Sequence, residues 1–583
     1  MPQIWCVPVV QIGPEVLKLP QISQGCFVRR SLAALCLIGS AVSASAGAAA
    51  SAAPAPQPQS AAPQAQDAAL PLAPQVKGSR PKANAAVLPP AATKLLPSVQ
   101  DLAAPASLAL PTKPAEVQIR QLRPIGLLEA ENLAEVNNPN LKLIATQVDQ
   151  AQSNLRAQIA LWYPTLSINS NNLPSYTGGQ QFTQGAGNPN LNGQSSTNRW
   201  FYGAQVQAQW ALINPQRVPA IAAARDSFEK AKDQYLISLR ELRLQVDVAY
   251  FDLQQADDSV RIGQESVRAS VVSLRDARAR YQAGVATKLE VLEAETQLAR
   301  DQQLLTDSLS AQSIARRTLA ALLDLPPTVT PTAKDPARVV GTWQPSLQES
   351  IIAAFAFREE LDQALLDISI ANSTANQALG AVQPFLNIFN TLIAGRYLGQ
   401  QNVLVDLPGS QGWNVDNSIG LNLTWNIFDG GAAAARSRAA KQQAQQFTYE
   451  FAKRRDDIRR DVEISFYELE KNNRNLTTTA REVLSAREAL RLARLRLEAG
   501  VTTQREVVNN QRDLTQAEVR HSNAISDYNK RLAELRRRTG LDQIALCTPP
   551  VLPAAKPVLD GASRVPVEQP PLQPACQAAK AVL

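Results

Sequence analysis

The 583-residue sequence predicts an α+β fold of two duplicated halves, each a long helical hairpin hung from a pair of β-strands. Three observations predict it. RYQAGVATKLEVLEAE at Arg280–Glu295 and RLEAGVTTQREVVNNQ at Arg496–Gln511 are near copies, each with a glycine between long charged segments. Ala220 to Ala283 holds no proline and a single glycine, Gly263. Two shorter runs alternate apolar and amide side chains with period two, the spacing of a strand.

The elements follow in chain order. Arg29 and Arg30, the apolar run SLAALCLIGSAV and the small residues before Gly47 have the order of an export signal over 1–46, with a true start near residue 28. That apolar run is too short to remain as a spanning helix. Residues 47–117, rich in Ala, Pro, Ser and Gln, are expected to be a disordered spacer. A first repeat is expected at 118–343, a second at 344–546, and a Pro-rich tail at 547–583.

Matching blocks define the duplication. Gly284 pairs with Gly500, DVAYFDLQ at Asp247–Gln254 with EISFYELE at Glu463–Glu470, and VQAQWALI at Val206–Ile213 with LNLTWNIF at Leu421–Phe428. Each half begins with a helical stretch that stops at a proline, Pro164 or Pro384, which disfavours helix in the residue before it. A short strand, a Gly/Asn/Gln-rich loop and a second strand come next. In the second strands Val206, Ala208, Trp210 and Leu212 oppose Gln205, Gln207 and Gln209; Leu421, Leu423, Trp425 and Ile427 oppose Asn422, Thr424 and Asn426. This alternation suits a soluble sandwich strand and a membrane-barrel strand equally. Turn signals INPQRVP and FDGGAAAAR then lead into the long helices.

Val218–Ala283 would make a helix of about 100 Å. Val267, Val271, Leu274, Ala277 and Tyr281, then Val285, Leu289 and Leu292, set a coiled-coil seam. A helix this long must bury its stripe against another. Glycine at 284 and 500 lets the chain reverse and return antiparallel. Four strands cannot close a barrel, so the strands form a small open sheet or several chains pool them.

Composition excludes much else. The net charge is +7, but basic and acidic residues interleave, as in Asp226 and Lys230 at an i,i+4 spacing, which reads as a solvated face rather than a nucleic-acid surface. The lone histidine, His521, argues against a histidine metal site or a serine–histidine relay and is expected to be solvated or packed. No phosphate-binding loop, metal cluster or nucleophile motif is present, so no enzyme activity, cofactor or metal is expected. After export only Cys547 and Cys576 remain, a pair compatible with a disulfide.

NIFDGGAAAAR at Asn426–Arg436, with its turn Asp429, Gly430 and Gly431, both tip sequences and the proline-started strands together resemble the TolC-like outer membrane efflux protein family, across the whole duplicated region. The resemblance implies a homotrimer whose twelve strands form one outer-membrane β-barrel, in contact with lipid and continuous with a periplasmic α-helical coiled-coil tunnel. It implies a passive exit duct for tripartite efflux or type I secretion, working with a periplasmic adaptor and an inner-membrane transporter. Adaptor contact would fall on Gly284, Val285, Thr287, Gly500, Val501 and Thr503. An acidic tunnel aperture would use Glu506, with Glu290 and Glu293 contributing; the second acidic position of the family holds Asn509, and the closing tyrosine and arginine are Leu497 and Thr502. The reading from a different class is a soluble periplasmic coiled-coil scaffold or adaptor.

Overall fold

A computed structural model describes residues 88–183, 193–403, 411–542, 544–546 and 575–578. The expected export signal, the spacer as far as residue 87, Cys547 and most of the tail lie outside the described residues.

The first half runs β1 (Gln121–Ile125), α1 (Leu127–Asn137), α2 (Pro139–Ile159), β2 (Thr165–Thr183), β3 (Gly193–Ile213), α3 (Arg217–Gln282), α4 (Lys288–Leu322) and β4 (Val329–Ala333). The second runs β5 (Gly341–Trp343), α5 (Leu347–Phe357), α6 (Glu359–Leu379), β6 (Phe385–Val403), β7 (Gln411–Thr424), α7 (Ala432–Glu498), α8 (Gln504–Thr539) and β8 (Ile544–Leu546), and α9 (Ala575–Ala578) follows. Corresponding helices match closely in length: 66 and 67 residues for α3 and α7, 35 and 36 for α4 and α8. The duplication is therefore structural as well as textual.

The opening helical stretch of each half is two helices rather than one. Pro139 lacks an N–H and pushes Asn138 out of helical geometry. Asn138 then caps α2, its side-chain oxygen accepting from the N–H groups of Asn140 and Leu141 at 2.9 and 3.2 Å. The matching break falls at Arg358.

These breaks surround the two main cores. One gathers Ile125, Leu133, Leu239, Tyr250, Leu253 and Leu319; the other gathers Leu361, Val462, Leu476, Tyr528, Leu532 and Leu535. A buried charge network ties the halves together. Arg240 meets Glu359 at 2.7 Å, Arg537 meets Glu360 at 2.9 Å, and Arg536 bridges Glu131 at 3.1 Å and Asp542 at 2.9 Å. Burial, then the neighbouring Glu131 carboxylate, push Asp247 well above the usual carboxylate range. Burial pushes Glu360 the same way, but hydrogen bonds from Arg358 and the charge of Arg537 outweigh it and hold Glu360 down at about 2.

Three expectations need correction here. The spacer ends well before residue 117. Val99 and Leu102 are buried in the first core, Ala92 N–H donates to Glu135 at 2.5 Å, and Arg243 donates to the carbonyl of Pro89 at 2.7 Å. Sparse apolar residues suffice when helices already offer a groove. Likewise the tail returns: Ala575 packs into the second core, and Cys576 is disulfide-bonded. Asp226 and Lys230 do not pair on a solvated face. They turn to α6, where Ser369 donates to Asp226 at 2.5 Å and Lys230 meets Asp367 at 2.5 Å.

The seam is narrower than its sequence stripe. Leu274 and Ala277 are buried against Ala294 with Val291 and Leu298, whereas Val271, Tyr281, Leu289 and Leu292 stay exposed in the single chain. His521 is buried, with Nδ1 at 3.1 Å from the Thr479 hydroxyl, and burial lowers its pKa.

Candidate functional site

Two regions carry the functional geometry: the sheet at one end and the helical tips at the other. The sheet is antiparallel, in the order β2-β3-β6-β7, and the two halves join through β3 and β6. Its strands are longer than the sequence suggests. The Gly/Gln-rich segment expected as a loop after Pro174 continues β2 to Thr183, paired residue by residue with β3 from Phe201 to Gly193. The amide and glycine groups still supply main-chain hydrogen bonds, which is all that a ladder requires.

Register sorts the faces. Val206 pairs with Ile168 and Leu392, and Ile388 pairs with Trp210 and Leu421, so these residues share one face. Gln205, Gln207, Ser167 and Thr391 share the other. The apolar face is open in the single chain: Leu166, Ile168 and Ile419 are each about three-quarters exposed. Aromatic residues sit at its two ends, Trp200, Tyr202 and Trp413 at one and Trp210 at the other. Ten residues separate Trp200 from Trp210, roughly 33 Å along a strand and about 25 Å once the strand is tilted as in a barrel. An apolar band of that height between aromatic belts fits a bilayer. Strict alternation ends early, however. A register irregularity separates Ala211 from Ile213, and Trp425 and Ile427 lie beyond the end of β7.

The strand-to-helix junctions are anchored by side chains. Asp429 accepts from the N–H groups of Gly431 and Ala433 at 2.9 and 2.7 Å, capping α7. Gly430 and Gly431 have φ of 70° and 84°, which glycine adopts without a steric penalty. In the first half Arg217 takes over, donating to the carbonyls of Leu161, Ala211 and Leu212 with its guanidinium 3.5 Å from the Trp162 ring centroid. Both junctions share one further link. The Trp210 indole donates to the Trp162 carbonyl, and the Trp425 indole to that of Val382. In the sequence these tryptophans stand out only as apolar face residues; their matched positions in the two repeats are the available signal.

At the far end both tips close in the same way. Gly284 and Gly500 have φ of 75° and 74°. The N–H of each bonds back to Tyr281 or Leu497, and the next N–H, of Val285 or Val501, bonds to Arg280 or Arg496, all at 3.0 Å. This double bond pattern satisfies the last carbonyls of a helix and turns the chain. Val285 and Val501 project into solvent, each about two-thirds exposed. Side chains then distinguish the tips. Thr287 and Glu290 cap each other's backbone at the start of α4. Thr503 makes no such side-chain cap; Glu506 instead accepts from the Thr502 hydroxyl and meets Arg496 at 2.8 Å.

The expected aperture acids therefore each carry a partner. Glu506 has Arg496, Glu290 caps its own helix, and Glu293 accepts from Arg505 Nε at 2.8 Å, a link between α4 and α8. In the single chain this is a set of ion pairs rather than unpaired negative charge. Leu497 contributes to the tip core and accepts from Arg280 at 3.5 Å.

A sheet apolar on one face and amide-rich on the other, continuous with two hairpins whose longer arms α3 and α7 run about 100 Å, defines a membrane-wall subunit fused to a helical conduit. The family model of outer membrane efflux proteins matches residues 131–324 and 353–541, about two-thirds of the chain, and the chain belongs to that family of channel proteins. It is 23% identical over 432 residues to the outer membrane protein TolC of Vibrio cholerae, covering 70% of this chain and 91% of that protein. Its fold is similar to that of the outer membrane protein VceC of Vibrio cholerae, at 15% identity and a TM-score of 0.57, covering 71% of this chain and 96% of that one. It is also similar to the open state of the Neisseria gonorrhoeae MtrE outer membrane channel, at 17% identity and a TM-score of 0.55, covering 78% and 98%. The chain is thus an outer-membrane efflux protein, with its sheet in the membrane and its hairpins in the periplasm.

Proposed function

We propose that three copies form a passive exit duct, a twelve-stranded barrel continuous with a helical tunnel. The sheet carries this reading: among the described residues β2 and β7 pair on one side only, and open edges are not tolerated in a bilayer. Pairing β7 of one copy with β2 of the next satisfies both edges, and the amide face then lines the lumen. Ring closure also gives the exposed apolar stripes of the long helices a neighbour.

The exposed, sequence-similar tips at Gly284–Thr287 and Gly500–Thr503 are the proposed contact for a periplasmic adaptor, which would connect the duct to an inner-membrane transporter. Tripartite efflux and type I secretion both use such an arrangement. The repeats are assigned to 118–343 and 344–546. Cys547 is the proposed partner of the Cys576 disulfide.

The test is the native mass of the mature protein after membrane fractionation. A species of three chains, released from the outer membrane only by detergent, supports the duct. A soluble monomer or dimer obtained without detergent overturns it.

A further inference from the structure

The duplication makes one interface inside the chain a template for a second one between copies. Matching residues of the two hairpins keep the constant spacing that separates Gly284 from Gly500. The structure holds that register to the end of each returning helix. Leu319 and Leu535 are both fully buried, and Asp324 and Gly540 both follow at positive φ. Within the chain, α3 of the first half packs against α8 of the second. Gln255 donates to Asn523 at 2.8 Å, the Ser526 hydroxyl donates to the Phe251 carbonyl at 3.3 Å, and Lys530 meets Asp252.

In a ring of alternating halves, the first long helix of each half meets the second of the half beside it. α7 must then meet α4 of the next copy, just as β7 would meet its β2. At the matching positions Lys471 stands for Gln255 and Asp307 for Asn523, with Tyr467 for Phe251 and Ser310 for Ser526. These faces are open in the single chain. Tyr467 is 57% exposed where Phe251 is 4% exposed, and Ile314, the counterpart of Lys530, is 64% exposed. Lys471 and Asp307 are exposed too, and neither has an ion-pair partner among the described residues. The third contact changes character: Glu468, the counterpart of Asp252, is held by Arg531 of its own chain at 2.9 Å.

We propose that Lys471 of one copy pairs with Asp307 of the next, beside a contact of Tyr467 on Ser310, and that this pair sets the order of halves around the ring. The equivalent position inside the chain is neutral, amide to amide; the junction between copies carries the charge. Two first halves side by side would set Gln255 against Asp307, and two second halves Lys471 against Asn523. Either arrangement leaves a charge without its opposite, a penalty that selects against the wrong neighbour. Strict alternation matches both. The pairing rests on the ring reading and specifies the partner surface of its helical edges.

The experiment is thiol cross-linking of the full-length protein in isolated outer membranes with a short bis-maleimide. Asp307→Cys combined with Lys471→Cys in one chain should convert the denatured protein from one-chain to two- and three-chain species. Gln255→Cys combined with Asn523→Cys should be linked within the chain and keep the mass of one chain. Co-expressing the two single variants, Asp307→Cys and Lys471→Cys, should give linked pairs and nothing larger. Charge reversal gives a second readout. Lys471→Asp and Asp307→Lys should each lower the temperature at which the detergent-solubilised trimer dissociates, and the two together should restore it. A native mass of three chains that still denatures to single chains after cross-linking overturns the pairing and leaves the duct standing. A double reversal no better than either single one also overturns it. A native mass of one chain for the unaltered protein overturns the duct, and the pairing with it.

Discussion

The Trp210 indole N–H donates to the Trp162 carbonyl at 2.9 Å, tying the end of β3 to the segment that enters β2. Its counterpart Trp425 makes the same tie to Val382 at 3.1 Å. Both link the membrane wall to the first helices of their halves. Replacing either with phenylalanine keeps the ring and removes the donor. Each change should cost about 0.5–1.5 kcal/mol, and the two should add because they act at separate junctions. Thermal dissociation of the detergent-solubilised assembly, followed by gel mobility, measures this. A double variant no weaker than either single one would refute independent ties.

Gly500 has a left-handed φ of 74° and open space where a Cβ would go. Gly500→Ala should therefore cost about 1–2 kcal/mol through backbone strain alone, and Gly500→Asn less. Gly284 should behave alike. Hydrogen exchange at the tip amides reports the loss locally. Equal exchange in all three proteins would show that the turn tolerates side chains.

Glu506 faces Arg496 at the second tip. Glu506→Gln leaves an unmatched guanidinium, so reversal potentials should shift toward anions. Arg496→Gln should shift them toward cations. Opposite signs are the diagnostic result, and no shift in either variant would remove the pair from the conduction path.

Glu360 and Asp233 should give opposite pH dependences. Glu360 is held at about 2 despite burial, by Arg358 and Arg537. Its native pKa lies below the unfolded one, so its stabilisation is present above about pH 4.5 and lost as pH falls toward 2. Glu360→Gln should destabilise by roughly 2–3 kcal/mol at pH 7, with little effect near pH 2. Burial, then Asp362 and Glu359, push Asp233 up to about 7. The native state then takes up the proton more readily, and stability falls as pH rises from about 4 to 7. Asp233→Asn should stabilise at pH 8 by on the order of 1 kcal/mol, after discounting for solvent screening, and do nothing near pH 4. Thermal unfolding of both variants across pH checks the signs.

The tips and the long helices were legible because their signals are local. Gly284 and Gly500 interrupt periodic, proline-free segments, and one residue of φ near 75° is enough to reverse the chain. The break before Pro139 was written in the chain as well, yet the long apolar rhythm around it masked it. The strand extensions were not legible, since Thr, Gly and Gln residues in β2 lack the alternation that marks a half-buried strand. The acidic tip positions were visible as residue types. Their neutralisation was not, because Arg505 and Glu293 lie far apart in the chain and meet only after two hairpins pack. The spacing of Asp226 and Lys230 reads as a solvated face, and only the packing of α3 against α6 shows that both turn to Ser369 and Asp367.

The sheet joins its halves through the inner strands and leaves its first and last strands at the margins. In the proposed ring every chain must then offer a sound left edge and a sound right edge, and neither can be supplied by its own other half. A cell making equal amounts of normal chains and chains with a damaged β7 would assemble only about one intact ring in eight. Genetically, such an allele should behave as a dominant inhibitor of export, whereas an allele that prevents folding altogether should be silent beside a normal copy.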